Sequence, residues 1–217
     1  GRFAGEASLA AVGSTGSLIN LMTNLFIGIS VGANVCAAQS YGAGHVEDVK
    51  KTIHTSVAFS LMGGIVLVFV GLLAARPILG IMGSPTDVIS LAALYVRIYF
   101  LAMPAIMLYN FLAAILRASG DTTHPLIFLS IAGIVNVILN LILVILFNLG
   151  VSGVAIATVT SNYISCGLLL AFFMKQEDAL RLDIKNIKID KRILRKIITI
   201  GLPAGIQGSL FSLSNEI

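Results

Sequence analysis

The residues able to do chemistry in this chain are amides and hydroxyls rather than acids, thiols or imidazoles. Asn136 and Asn140 stand in the run IAGIVNVILNLILVILF, residues 131 to 147, which is otherwise apolar. Four positions apart, they share one face of a helix, a turn from each other. Thr158 follows in GVAIATVTSNYIS, residues 153 to 165. A helix leaving the membrane near Asn148 carries Asn140 about 12 Å deep, and one re-entering near Ser152 carries Thr158 about 9 Å deep, at ~1.5 Å per residue. The short connection forces the two helices antiparallel, so Asn136, Asn140 and Thr158 can meet at one level. Carboxamide and hydroxyl oxygens are hard ligands that suit a small cation such as sodium, although a complete site also wants a carboxylate. The same three groups could instead form a hydrogen-bonded clamp between neighbouring helices, and spacing alone favours the clamp. Ser161, Asn162 and Ser165 continue the polar side of the second helix, which makes Asn162 a candidate cavity-lining residue.

A second polar stripe lies earlier. Asn20, Thr23 and Asn24 share a helical face, and Gly28 and Gly32 follow in the spacing that lets another helix approach closely. Asn20 and Asn24 are either interhelical glue or the wall of an aqueous cavity. Enzyme signatures are missing: there is no HExxH, P-loop or GxSxG. His45, His54 and His124 sit at or near loops without ligand spacing, and Ser119-Gly120-Asp121 reads as a turn. The chain is therefore not expected to be an enzyme, to need a cofactor or to bind nucleic acid.

The elements that must hold these residues are membrane helices. The chain has 217 residues, 57% hydrophobic and 11% charged, far from the balance of a soluble domain. Spanning the hydrocarbon takes about 20 mostly apolar residues, and five stretches qualify: about 16–38, 54–75, 90–116, 125–147 and 152–174. A sixth starts near 197. Continuous helices are the form such spans must take. Pro104, in the middle of the third, should bend it. Cys36 and Cys166 fall inside spans and read as small packing residues.

Lysine and arginine orient the bundle. Lys50, Lys51, Arg117 and the cluster between 175 and 196 lie in alternate loops, against only Arg2, Arg76 and Arg97 on the other side. This bias puts 175–196 in the cytoplasm and Gly1 outside, and implies an odd number of spans, most simply one, before Gly1. The stretch 175–196 alternates charge with Leu182, Ile184, Ile187, Ile189, Ile193 and Leu194. It reads as a cytoplasmic basic linker, either a solvated connector or a lipid-binding or regulatory segment. The organisation is then a lobe over 1–174, a linker over 175–196 and a further bundle opening at 197–217.

Several stretches jointly resemble the multidrug and toxic compound extrusion (MATE) transporters, in particular their bacterial DinF-like branch: GEASLAAVG (5–13), FIGISVGANVCAAQSYGAG (26–44), LRASGDTTHPL (116–126), GVSGVAIATVTSNYIS (150–165) and GLPAG (201–205). The resemblance implies an all-α integral membrane protein, a polytopic bundle of twelve helices in two six-helix lobes. This chain would supply spans two to six of the first lobe and the start of span seven. It implies secondary active multidrug efflux at the cell membrane of a bacterium, exchanging sodium or protons for small amphipathic cationic substrates, by a monomer in the lipid bilayer. In sodium-binding relatives the ion is held by an aspartate on span one, an asparagine and an aspartate one turn apart on span five, and a threonine on span six. These map onto Asn136, Asn140 and Thr158, and favour the cation site over the clamp. Asn140 departs from the pattern because it is not an acid, so it cannot titrate and charge compensation falls to span one. Glu216 is a further candidate coupling residue on span seven. The alternatives are a lipid-linked oligosaccharide flippase, for which Arg97 alone among the spans would have to meet pyrophosphate, or a membrane bundle that transports nothing.

Overall fold

The computed structural model describes residues 6–81 and 89–215. Gly1 and Glu216 lie outside the described residues. The described chain is helical almost throughout: α1 (Glu6–Gly42), α2 (Val46–Ile81), α3 (Ile89–Phe100), α4 (Met103–Ala118), α5 (Thr123–Leu141), α6 (Gly150–Lys175) and α7 (Lys191–Asn215). Among the described residues, three stretches are long and apolar enough to cross a membrane: α2, α5 with the π-type turn Ile142–Leu146 that continues it, and α6. The bent pair α3 and α4 makes a fourth. The fold is a multi-pass helical membrane bundle.

The helices run past the apolar stretches read from sequence. α2 continues through Arg76 and Pro77 to Ile81 where the sequence suggests a loop from 76, although Pro77 cannot donate its own hydrogen bond to the ladder. α7 starts at Lys191 rather than near 197: the Asp190 carboxylate accepts from the backbone N–H groups of Arg192 (2.9 Å) and Ile193 (3.0 Å), which fixes the first turn before the apolar part begins.

The third span is broken rather than curved. α3 and α4 meet at 46°, and Pro104 sits in the first turn of α4, where its missing N–H belongs to a group that has no intrahelical partner anyway. The bend packs on α2 at Gly64, where an added Cβ would lie 2.4 Å from the Pro104 Cα. At the break, the Leu101 carbonyl accepts the Tyr163 hydroxyl of α6 at 3.0 Å.

α4 is the hub, with Met103, Met107, Phe111, Leu112, Ile115 and Leu116 all fully buried. It packs against α1, α2 and α6, and the Asn34 side chain of α1 donates to the Ala114 carbonyl at 2.6 Å. Cys36 and Cys166 are buried free thiols. α7 lies along α1 with backbone against backbone: a Cβ on Gly28 would fall 2.1 Å from the Gly205 Cα, and one on Gly32 2.0 Å from the Ile197 carbonyl oxygen. From the other side, a Cβ on Gly201 would reach the Ile29 oxygen at 2.4 Å. The glycine spacing in α1 thus meets a matching spacing in α7, Gly201 and Gly205, and the close approach supplies dispersion contacts where the hydrophobic effect cannot act.

Candidate functional site

α5 and α6 are brought side by side by a tight turn. Asn148 (φ 52°) and Gly150 (φ 51°) both take the left-handed conformation, which asparagine and glycine tolerate at little cost. The turn closes with Leu149 N–H donating to the Leu143 carbonyl at 3.0 Å.

Between the two helices lies an open pocket of about 310 Å3, lined by Asn136, Thr158, Ser161, Asn162 and Ser165 with Leu129, Ala132 and Gly133. Its polar groups form a connected set. The Asn136 amide donates to Ser161 Oγ (3.2 Å) across the interface. The Asn140 amide donates to both the side-chain and backbone oxygens of Asn136, each at 3.0 Å. On α6, Thr158 donates to the Val154 carbonyl at 3.0 Å. Ser161 and Asn162 both donate to the Thr158 carbonyl, at 2.9 and 2.8 Å, and Ser165 donates to the Asn162 carbonyl at 2.9 Å.

Donors are thereby committed to oxygens within the two helices, and the surplus is on the acceptor side. Asn140 Oδ1 is buried with no hydrogen-bond partner. A buried amide oxygen left in this state costs about 1–3 kcal/mol, so the arrangement favours an incoming donor or cation. No ionisable side chain lines the pocket, and no cluster of His, Cys, Asp or Glu suited to a metal ion occurs among the described residues. What the chain offers is a neutral, oxygen-rich half-site.

The six residues expected from sequence do not share one cavity. Asn136, Thr158 and Asn162 line the α5–α6 pocket; Asn140 joins it through Asn136 and is not part of its wall. Asn20 and Asn24 lie on α1, outside this pocket, with Asn20 exposed and Asn24 half-buried. The backbone oxygen of Asn24 looks toward Gly208 of α7. Ser161 is the residue the sequence reading passed over. It was visible as part of the polar side of α6, but not as the group that links the two helices.

Comparisons with known proteins bear on the family and the fold. The family model described as MatE matches residues 1–142. The chain belongs to the MatE family. Among curated proteins, the MatE chain is 34% identical to the probable multidrug resistance protein YoeA of Bacillus subtilis (strain 168) over 99% of its length, which is 48% of that protein. It is 32% identical to the multidrug export protein MepA of Staphylococcus aureus (strain bovine RF122 / ET3-1), over 86% of this chain and 41% of MepA. It is also similar to the outward-facing conformation of a multidrug resistance MATE family transporter of the MOP superfamily, with a TM-score of 0.88, 25% identity and coverage of 96% of this chain and 47% of that one. The MatE chain thus spans about half the length of the relatives it matches.

Proposed function

We propose that this MatE chain carries the ion-binding lobe of a multidrug exporter that works by cation-coupled antiport. The observation that carries the reading is the unpaired Asn140 oxygen beside the Asn136–Thr158 pocket. A sodium ion seated there would take the Asn140 and Asn136 oxygens and the Thr158 hydroxyl, with charge compensation from a carboxylate outside these residues. A proton has no titratable acceptor among the pocket residues, so the neutral donor set supports sodium over proton coupling at this lobe. The named relatives, a probable multidrug resistance protein and a multidrug export protein, support export of small molecules, and the cargo proposed here is small amphipathic cations.

Coupling in this scheme is competition between ion and drug, each stabilising a different arrangement of the lobes. α7 opens the second lobe, and its glycine seam with α1 is the contact that must part and reform as the lobes rock. The protein works as a monomer in the bacterial cell membrane, with the 175–196 linker in the cytoplasm. A flippase reading finds no support in the pocket, which has no cation to receive pyrophosphate. Efflux of a cationic dye from proteoliposomes under an imposed sodium gradient is the test. Export that collapses with the sodium gradient supports the proposal, and export indifferent to it sinks the sodium assignment.

A further inference from the structure

The stretch between α6 and α7 is tied to α6 and to the first turns of α2 by directional contacts. The Leu182 N–H donates to the Phe173 carbonyl of α6 at 3.0 Å. The Asp190 N–H donates to the Thr55 hydroxyl of α2 at 3.0 Å, and the Arg192 guanidinium meets both carboxylate oxygens of Asp48, at 3.1 and 3.2 Å. His54 of α2 holds Asp183. Its Nδ1 lies 2.7 Å from the Lys50 carbonyl, which can only accept, so Nδ1 carries a proton and Nε2 faces the linker. There Nε2 lies 3.3 Å from the Asp183 N–H and 3.1 Å from the Asp183 carbonyl. A neutral ring accepts from the first and a protonated ring donates to the second, so the contact survives a change of charge.

Beneath these contacts the stretch is part of the core. Ala179, Leu182, Ile193 and Ile197 belong to the same buried cluster as Val49 and Ile53 of α2 and Phe173 of α6. Lifting the stretch away would therefore open that cluster to water rather than merely free a loop. Further along, α7 rests on α1 through Gly28, Gly32, Gly201 and Gly205. Dispersion across such a seam is non-directional, whereas hydrogen bonds and a guanidinium–carboxylate pair have fixed geometry. The seam supplies closeness, and the contacts before it supply position. Arg192 precedes Ile197, whose carbonyl meets Gly32, by about 7.5 Å of continuous helix, so a position fixed at one is passed to the other.

We propose that this stretch is a strap that stays closed through the transport cycle and fixes the start of α7 against α2 and α6, with Asp48, His54 and Thr55 as its positioning residues. The seam between α1 and α7 then parts and reforms by pivoting from the strapped end. What the strap serves rests on the export reading above; that it is closed does not.

In the full protein, Asp48→Cys with Arg192→Cys, in a background freed of other cysteines, removes the ion pair and leaves two thiols that a short bifunctional methanethiosulfonate can join. Dye efflux from proteoliposomes should fall about tenfold in the open double variant, return on cross-linking and fall again on reduction. Efflux that stays low, or is lost, once the thiols are joined means that a closed strap does not serve transport, and overturns the proposal. Efflux equal to that of the unsubstituted protein both before and after cross-linking overturns it too. Absence of efflux from the unsubstituted protein counts against the export reading instead. In that case, or should the double variant fail to fold, hydrogen exchange on the unsubstituted protein decides. The amides of Leu182, Asp183 and Asp190 should exchange at least about tenfold more slowly than in an open chain, with and without sodium and dye. Open-chain rates in any of these conditions overturn the strap.

Discussion

The Asn140 side chain directs its N–H to Asn136, one turn earlier on α5, and leaves its own buried oxygen without a partner. Asn136 in turn donates across to Ser161 of α6. A pair that served only to clamp the helices would have its acceptors filled, since a vacant buried acceptor weakens a clamp. The vacancy makes sense if something else completes it.

Replacing Asn140 with leucine separates these roles. The substitution removes the unsatisfied oxygen but also the amide N–H that Asn136 Oδ1 accepts, and leaving that acceptor without its donor costs about 1–3 kcal/mol. Asn140→Leu should therefore still fold, with a modestly lower unfolding temperature, while sodium-driven dye efflux falls at least tenfold. Unaltered sodium dependence in a folded Asn140→Leu protein would refute a role for Asn140 in coupling.

Ser161 should behave in the opposite way. Ser161→Ala removes the acceptor for Asn136 and the direct link between α5 and α6, at a cost of about 0.6 and at most ~1.7 kcal/mol. The expected signature is a lower melting temperature in a fixed detergent, with sodium dependence weakened rather than lost. A larger effect on sodium dependence than that of Asn140→Leu would shift the weight of the site toward α6.

The α1–α7 seam gives a steric prediction with a built-in control. A side chain at Gly28 or Gly32 meets the backbone of α7 at 2.1 and 2.0 Å, and backbone cannot swing aside. Gly32→Leu should force the helices apart at a cost of ~1–3 kcal/mol or more and abolish export. Gly16→Ala on the same helix meets nothing within 4 Å and should leave export intact, with helix stability raised by up to about 1 kcal/mol. Equal tolerance of both, measured by efflux and by thermal unfolding, would show that the seam is not needed.

Acidification should loosen the linker's own turn and the cap of α7. Asp190 is held below the ordinary carboxylate range by the Ile193 N–H, with that of Arg192 adding to it. Asp183 is held below it by the Lys185 N–H and the Asn186 side chain. Both groups are therefore more readily ionised when the turn and the cap are formed. Their contribution is complete above the unfolded value of about 3.9 and is lost as pH falls through the lower, folded values. Linker protection in hydrogen exchange should stay flat from neutrality to about pH 4 and fall below it. Neutralising both as Asp183→Asn and Asp190→Asn should remove that acid limb.

The division between what the residues declare and what they conceal follows from range. Apolar runs of about 20 residues declare membrane helices, because a helix satisfies every backbone group within the run itself. The pairing of Asn136 with Asn140 is equally local, set by one helical turn. Ser161 was harder, since which hydroxyl of α6 meets Asn136 depends on the rotation of one helix against another. The ends of α2 and α7 overran the apolar stretches because caps and last turns obey hydrogen-bond rules rather than hydropathy. Gly28 and Gly32 announced a close contact, while α7 as the partner, through Gly201 and Gly205, became visible only when distant segments met. Asn20 and Asn24 share a stripe with each other but not the α5–α6 pocket, which only the crossing of helices could reveal.

Pro104 shows the same limit and leads to a last prediction. The proline signals a disturbance in the third span, and the structure turns it into a clean break whose exposed carbonyl, on Leu101, is taken by Tyr163 of α6 at 3.0 Å. Both residues are open to the surroundings, at 41% and 49% exposed, so in a membrane no water is at hand to replace the hydroxyl. Tyr163→Phe keeps the ring and deletes only the donor. It should cost about 0.6 and no more than ~1.7 kcal/mol, the range for hydrogen bonds between membrane helices, and it should act through the break. Pro104→Ala allows the third span to straighten and restore an intrahelical partner for the ladder. In that background Tyr163→Phe should cost measurably less, and a double-mutant cycle on thermal stability reads the difference. Strict additivity would mean that the hydroxyl and the break are unconnected.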